Sequence, residues 1–126
     1  MAREGTGLLG PLEGEVMEAL WASPKPLSVR TVLERLNEGR RLPLAYTTVM
    51  TVLDSLHRKS WVLREMDARA YRYRPAFSRA EAAAKALREV LDSSGDPEAV
   101  LLHFARSVSD NESTVLRREL RRKSTR

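Results

Sequence analysis

Apolar positions recur at helical spacing through the first part of the chain, alternate with period two over a short middle stretch, and then return to helical spacing. Leu12, Val16 and Leu20, with Met17 and Trp21, predict a first helix over about 11–22. Pro11 suits its first turn, and Glu13, Glu15 and Glu18 favour its positive end. Ser23-Pro24-Lys25-Pro26 breaks it. Ser28 is a good N-cap, and Val29, Val32, Leu33 and Leu36 predict a second helix over about 28–38, stopped by Gly39. Leu42-Pro43-Leu44 reads as extended. A third helix spans about 45–59, with Val49, Val52, Leu53 and Leu56 on its apolar face. Thr47, Thr51, Ser55 and Arg58 fall on the opposite face, with Thr48 beside them. β-Branched residues lose χ1 freedom in a helix, so three Thr this close together point to selection by something other than helix propensity.

Trp61 to Met66 then reads as a strand, Asp67-Ala68-Arg69 as a short turn, and Ala70-Tyr71-Arg72-Tyr73-Arg74 as a second strand ended by Pro75. The result is a β-hairpin with a basic tip. The remainder is helical. Ser78 with Glu81, and Ser109 with Glu112, have capping-box spacing. Ala83, Leu87, Val90 and Leu91 form one stripe, and Gly95 ends that helix. Asp96-Pro97-Glu98 opens the next, whose stripe is Val100, Leu101, Phe104 and Val108; Val115, Leu116 and Leu120 mark the last. Three short amphipathic helices cannot bury these faces alone, so they are expected to pack on one another and on a second copy. The seam is expected near Pro75 to Ser78, dividing the chain into 1–76 and 77–126.

Three helices followed by a hairpin is the order of a winged helix, a helix-turn-helix variant whose third helix enters the DNA major groove. The fold expected is mostly α, of the α+β winged-helix kind, with a C-terminal helical dimerisation region. Threonine hydroxyls and methyls can approach base edges, and the N–H groups at the start of that helix can hold a phosphate. Arg69 at the hairpin tip, with Tyr71 and Arg72, would contact backbone. Each residue also has a plainer reading. Thr47, Thr48 and Thr51 suit capping and surface positions, Tyr71 and Tyr73 suit the core face of a strand, and Arg72 and Arg74 suit a solvated one.

Charge sharpens the DNA reading. The chain has 126 residues, 22 Lys+Arg, 17 Asp+Glu and a formal net charge of +5. Residues 55–75 hold six of those cations (Arg58, Lys59, Arg64, Arg69, Arg72, Arg74) against two acids, and residues 117–126 hold six against one. The first block is interleaved with aromatics; the second suits a solvated helix end, where cations complement the dipole. Zero Cys excludes a disulfide framework, a thiolate metal site and a Cys nucleophile, and fits a reducing compartment. No apolar run approaches the ~20 residues that cross a bilayer. Met1 to Gly10 has no apolar core of a signal peptide, so a cytoplasmic protein is expected. His57 and His103 are far apart, and no nucleophile elbow, phosphate loop or metal-ligand spacing is present. Neither catalysis, a cofactor nor a metal is expected.

Leu9-Gly10-Pro11-Leu12-Glu13-Gly14-Glu15-Val16-Met17-Glu18-Ala19-Leu20-Trp21 is similar to the first helix of the penicillinase-repressor (BlaI/MecI) family. Ala45-Tyr46-Thr47-Thr48-Val49-Met50-Thr51-Val52-Leu53-Asp54-Ser55-Leu56 resembles its recognition helix, Lys59-Ser60-Trp61-Val62 its turn into the wing, and Ala70-Tyr71-Arg72-Tyr73 its second wing strand. The resemblance covers about 8–122. It implies a homodimeric repressor on a palindromic double-stranded operator. DNA contacts are then expected from Ser28, Arg30, Tyr46, Thr47, Thr48, Met50, Thr51, Ser55, Arg58, Lys59, Arg69, Tyr71 and Arg72, and dimer contacts from Ala83, Leu87, Leu91, Leu101, Phe104, Val108, Leu116 and Leu120. Where some relatives are basic, this chain has Thr47, Met50 and Ser55. The family's copper-responsive branch carries a C-terminal Cys site, which this chain lacks. In its β-lactam branch a sensor-linked protease relieves repression at an Asn-Phe bond; His103-Phe104 stands at that place as the candidate cleavage position. The alternative from another class is a winged helix that docks protein, for which aromatics or Leu would be expected on the third helix rather than Thr.

Overall fold

The computed structural model describes residues 9–124. The expectation about a signal peptide at Met1 to Gly10 falls outside the described residues but for Leu9 and Gly10. Six helices and three short strands follow in the order α1 (Pro11–Trp21), β1 (Leu27–Ser28), α2 (Val29–Asn37), α3 (Tyr46–Arg58), β2 (Val62–Asp67), β3 (Ala70–Pro75), α4 (Arg79–Ser93), α5 (Pro97–Ser107) and α6 (Asp110–Ser124). Every predicted helix forms, and so does the hairpin. The two-residue β1 was not predicted, since two residues are too few for a period to show. It makes the sheet three-stranded and antiparallel in the order β1-β3-β2. Leu27 pairs with Tyr73 and Ser28 with Arg72, so the start of α2 is tied to the hairpin.

The described residues divide into two compact units, one ending at Ala86 and the other beginning at Leu87. In the first, Val16, Met17 and Leu20 of α1 meet Val32 and Leu36 of α2 and Val49, Leu53 and Leu56 of α3. Trp61, Val62 and Tyr73 close this core from the sheet, and Leu27 from β1. Burial of such side chains is worth ~1.5–3 kcal/mol each. The first turns of α4 belong here: Ala82 is buried in the core, and Arg79 reaches Glu18 at 2.7 Å. Trp21 Nε1 donates to the Phe77 carbonyl at 3.0 Å, and Phe77 packs edge-on against Trp61.

Local chemistry explains the element ends. Ser28 caps α2 by accepting from the Thr31 N–H. Both predicted capping boxes form: Ser78 with Glu81, and Ser109 with Glu112, exchange side-chain and backbone hydrogen bonds. Asp96 caps α5, which Pro97 opens. The second unit, by itself, buries no residue of α5 or α6. Leu87, Leu101, Phe104 and Leu120 are 63%, 52%, 50% and 62% exposed, and Val100, Val115 and Leu116 are also exposed.

Candidate nucleic-acid interface

The outward side of α3 is built by the burial of the other side. Val49, Leu53 and Leu56 are fully buried, so helical geometry turns Thr47, Thr51, Asp54 and Arg58 outward. Thr47, Met50 and Thr51 are exposed. No side chain caps α3: its N-cap is Ala45, whose carbonyl accepts from the Thr48 and Val49 N–H groups. The first N–H groups of the helix are therefore open to an anion, unlike those of α2, where Ser28 already caps.

On one flank, α3 meets the wing across a groove. Tyr46, Met50, Thr51 and Asp54 line it from α3; Ser28 and Arg30 from the start of α2; Arg64, Arg69 and Tyr71 from the hairpin. Two arginines stack here on tyrosines. The Arg30 guanidinium lies 5.5 Å from the Tyr46 ring, and that of Arg64 lies 4.1 Å from the Tyr71 ring. Tyr71 and Tyr73 share one strand face, edge to face at 6.2 Å, yet they divide their work: Tyr73 is buried in the core and Tyr71 is exposed. Arg69 sits in the hairpin turn with no acid paired to it among the described residues. Arg72 instead pairs with Asp67 at 2.6 Å.

On the other flank, α3 is tied to α1. Lys59 Nζ lies 2.9 Å from Glu13 Oε2, and Ser55 donates to the same oxygen at 3.3 Å. Burial pushes the Glu13 carboxyl up, but the Lys59 and Gly10 hydrogen bonds, the Lys59 charge and the Ser55 hydroxyl together bring it below 4.5. Thr48 lies on this same stripe, seven residues before Ser55. Of the thirteen expected residues, Thr48 is exposed beside the outward face, Ser28 caps α2 and Arg72 pairs with Asp67, and the other ten sort into two sets. Thr47, Met50, Thr51 and Arg58 face outward together with Arg30, Tyr46, Arg69 and Tyr71 of the groove. Ser55 and Lys59 are engaged by Glu13.

Two residues outside the expected set stand in the middle of this surface. Asp54 accepts from Arg58 at 2.6 Å and from Arg64 at 3.4 Å, linking α3 to β2. The Asp54–Arg58 spacing of four was readable as a helix-surface pair. Arg64 was readable only with the hairpin register, which places it opposite Tyr73.

Of the expected dimer residues, Ala83 belongs to the first unit and is exposed, while Leu91 and Val108 of the second are half-buried. His103 and Phe104 lie in mid-α5, both exposed. No group of three or more His, Cys, Asp or Glu among the described residues could hold a metal ion. No helix there is long and apolar enough to cross a membrane.

The penicillinase repressor family matches residues 9–122. The transcriptional regulator BlaI of Mycobacterium tuberculosis (strain H37Rv) is 44% identical over 115 residues, covering 89% of this chain and 82% of that protein. Among solved structures, the Staphylococcus aureus MepR F27L mutant bound to an oligodeoxyribonucleotide aligns with a TM-score of 0.51 at 16% identity, over 93% of this chain and 78% of that one. A MarR-family transcriptional regulator from Rhodococcus sp. RHA1 aligns at 0.50 and 14% identity, over 89% and 72%. At such identities the structural likeness is one of fold: a winged helix.

Proposed function

From the chain's membership of the penicillinase repressor family, which makes it a winged-helix, DNA-binding transcriptional repressor and not an enzyme, we propose that it works as a homodimer on a two-fold operator. In this reading α3 enters the major groove and the β2–β3 wing lies on the flanking backbone. The observation that carries it is the outward face of α3, where Thr47, Met50 and Thr51 stand free beside a groove rimmed by Arg30, Arg64 and Arg69. Short hydroxyl side chains suit base edges, and the surrounding guanidiniums suit phosphate. Arg69, unpaired and at the tip, is the wing residue best placed for a phosphate.

The dimer reading rests on the second unit. Leu101, Phe104 and Leu120 are left half or more exposed, and Leu116 nearly so, along α5 and α6, which bury no residue by themselves; Leu87 in α4 is exposed as well. Apolar surface of this extent on consecutive helices calls for a partner, and a second copy supplies matching surface under two-fold symmetry. Half-site centres then lie about one or two DNA turns apart. Relief of repression, in response to a β-lactam or other cell-envelope signal, would follow from a sensor-linked protease cutting α5 between His103 and Phe104. That cut removes Phe104 and all of α6 from the chain.

The test is selection of bound DNA from a random pool by the purified protein, followed by a salt titration on the enriched sequence. A palindromic motif, with affinity falling by orders of magnitude between ~50 and ~200 mM salt, is the expected result for ~6–10 phosphate contacts. Weak, salt-insensitive binding without a motif would instead favour a winged helix that docks protein.

A further inference from the structure

We propose that Asp54 is a base-reading residue that selects a cytosine in each half-site, a reading that rests on α3 occupying the major groove. One feature of this position argues against an acid. Asp54 lies on the outward stripe with Thr47, Thr51 and Arg58, the face turned toward a polyanion. Repulsion there lowers affinity for any DNA, so a compensating contact is expected.

The geometry equips Asp54 to make one. Its side chain is 47% exposed. Oδ2 takes Arg58 at 2.6 Å and Oδ1 takes Arg64 at 3.4 Å. Each oxygen engages one guanidinium, and a carboxylate has about four lone-pair sites, so acceptor capacity remains. Arg64 is itself held on the Tyr71 ring, so the carboxylate is fixed from the wing as well as from α3. The two cations offset its charge near phosphate while leaving it an acceptor.

An acceptor without a donor discriminates sharply in the major groove. Cytosine offers its N4 amino donor there, whereas guanine offers N7 and O6, and thymine O4, all acceptors that repel a carboxylate. Adenine offers a donor but sets N7 beside it. A one-point contact of this kind lies at the low end of what a bidentate base contact supplies, roughly 5-fold in preference. The competing account is that Asp54 only staples α3 to the wing through Arg58 and Arg64. A staple changes binding to all sequences alike; a base reader changes one position of the motif.

The experiment compares the full-length protein with Asp54→Asn and Asp54→Ala by selection from a random duplex pool, then by titration of single-base variants of the enriched site. The expected wild-type motif has a cytosine in each half-site that Asp54→Ala makes indifferent, while the other positions keep their preferences. Asp54→Asn should move that position toward adenine, whose N6 and N7 an amide can engage together. Asp54→Ala should also bind non-specific DNA several-fold more tightly, with a steeper salt dependence, because Arg58 and Arg64 are released. A wild-type motif whose every position survives Asp54→Ala, or an equal change on all sequences, overturns base reading by Asp54 and leaves α3 docking intact. A wild-type protein with no motif overturns the docking reading itself, and this inference with it.

Discussion

The side-chain amide of Asn37 closes a two-bond ring with the backbone of Leu44: Nδ2 donates to the Leu44 carbonyl at 3.2 Å, and the Leu44 N–H donates to Oδ1 at 2.7 Å. Asn37 is the last residue of α2, and Leu44 precedes the start of α3 by two residues. This ring therefore fixes how the two helices of the helix-turn-helix are joined. Asn37→Ala leaves both backbone groups of Leu44 without that partner and should cost about 1–3 kcal/mol. Asn37→Asp keeps an acceptor for the Leu44 N–H and should fall between. Urea unfolding followed by Trp21 and Trp61 fluorescence, both in the first unit, checks the order. Equal stability of all three proteins would show that the ring is not what holds the turn.

The Glu13 clasp between α1 and α3 makes a pH prediction. The folded carboxyl titrates below 4.5, so its contribution is present above that value and is lost as pH falls through the folded pKa. Glu13→Gln should lower stability at pH 7 by about 1 kcal/mol, the scale of a partly exposed charged pair. The gap to wild type should close as pH drops below 4.5, once the native carboxyl is also neutral. A gap that stays constant down to pH 3 would trace the loss to shape rather than to charge.

Helix spacing and turn chemistry made most of this fold readable, and the reasons are local. Ser78, Glu81, Ser109 and Glu112 cap their helices with bonds that span three residues, so sequence alone contains them. The exposed face of α3 was readable for a similar reason: Val49, Leu53 and Leu56 fix the helix phase. Contacts that join distant segments were not readable. Ser55 and Lys59 belong to the basic and hydroxyl set on composition, yet Glu13, over forty residues earlier, engages both. Asp54 looks like an ordinary surface acid until the hairpin register carries Arg64 to it. Strand β1 forms only because Tyr73 and Arg72 offer an edge to Leu27 and Ser28.

Ser60 ends α3 at φ 67°, a left-handed conformation that costs a residue with a Cβ. Its N–H donates to His57, and the next N–H, of Trp61, donates to Leu56 at 2.9 Å, so the conformation is locked by the helix end. Glycine adopts this φ freely. Ser60→Gly should therefore stabilise by about 0.5–1 kcal/mol, after the larger chain entropy that glycine has when unfolded is deducted. A lower urea midpoint for Ser60→Gly would mean that the serine side chain contributes more than its backbone costs.

The unpartnered face of the second unit predicts what breaks the dimer. Phe104 is 50% exposed in one copy and lies in mid-α5 among Leu101, Val100 and Leu102, all exposed. If a second copy covers it, Phe104→Asp buries an unpaired carboxylate at the interface, at a cost of several kcal/mol. Sedimentation equilibrium should then show a monomer, with the α-helical circular dichroism of the first unit retained. Operator affinity should drop sharply while binding to an isolated half-site changes little. A Phe104→Asp protein that stays a tight dimer would place the interface elsewhere.

The two halves of the DNA surface should fail in different ways. Thr51 faces outward at the centre of α3, where a hydroxyl and a methyl can meet base edges. Thr51→Ala should weaken operator binding by about 1 kcal/mol or more and leave non-specific binding unchanged. Arg69, unpaired in the wing turn, offers a phosphate its charge and its N–H donors. Arg69→Ala should weaken operator and random DNA alike and reduce the slope of log affinity against log salt by about 1. Fluorescence anisotropy on both DNAs over a series of salt concentrations separates the cases. Equal loss on both DNAs for Thr51→Ala rejects base reading by that residue. An unchanged salt slope for Arg69→Ala means that the wing tip does not rest on a phosphate. If both substitutions were silent, base reading would fall to Thr47 and Thr48, the other exposed threonines of α3, because the Ser55 hydroxyl already donates to Glu13.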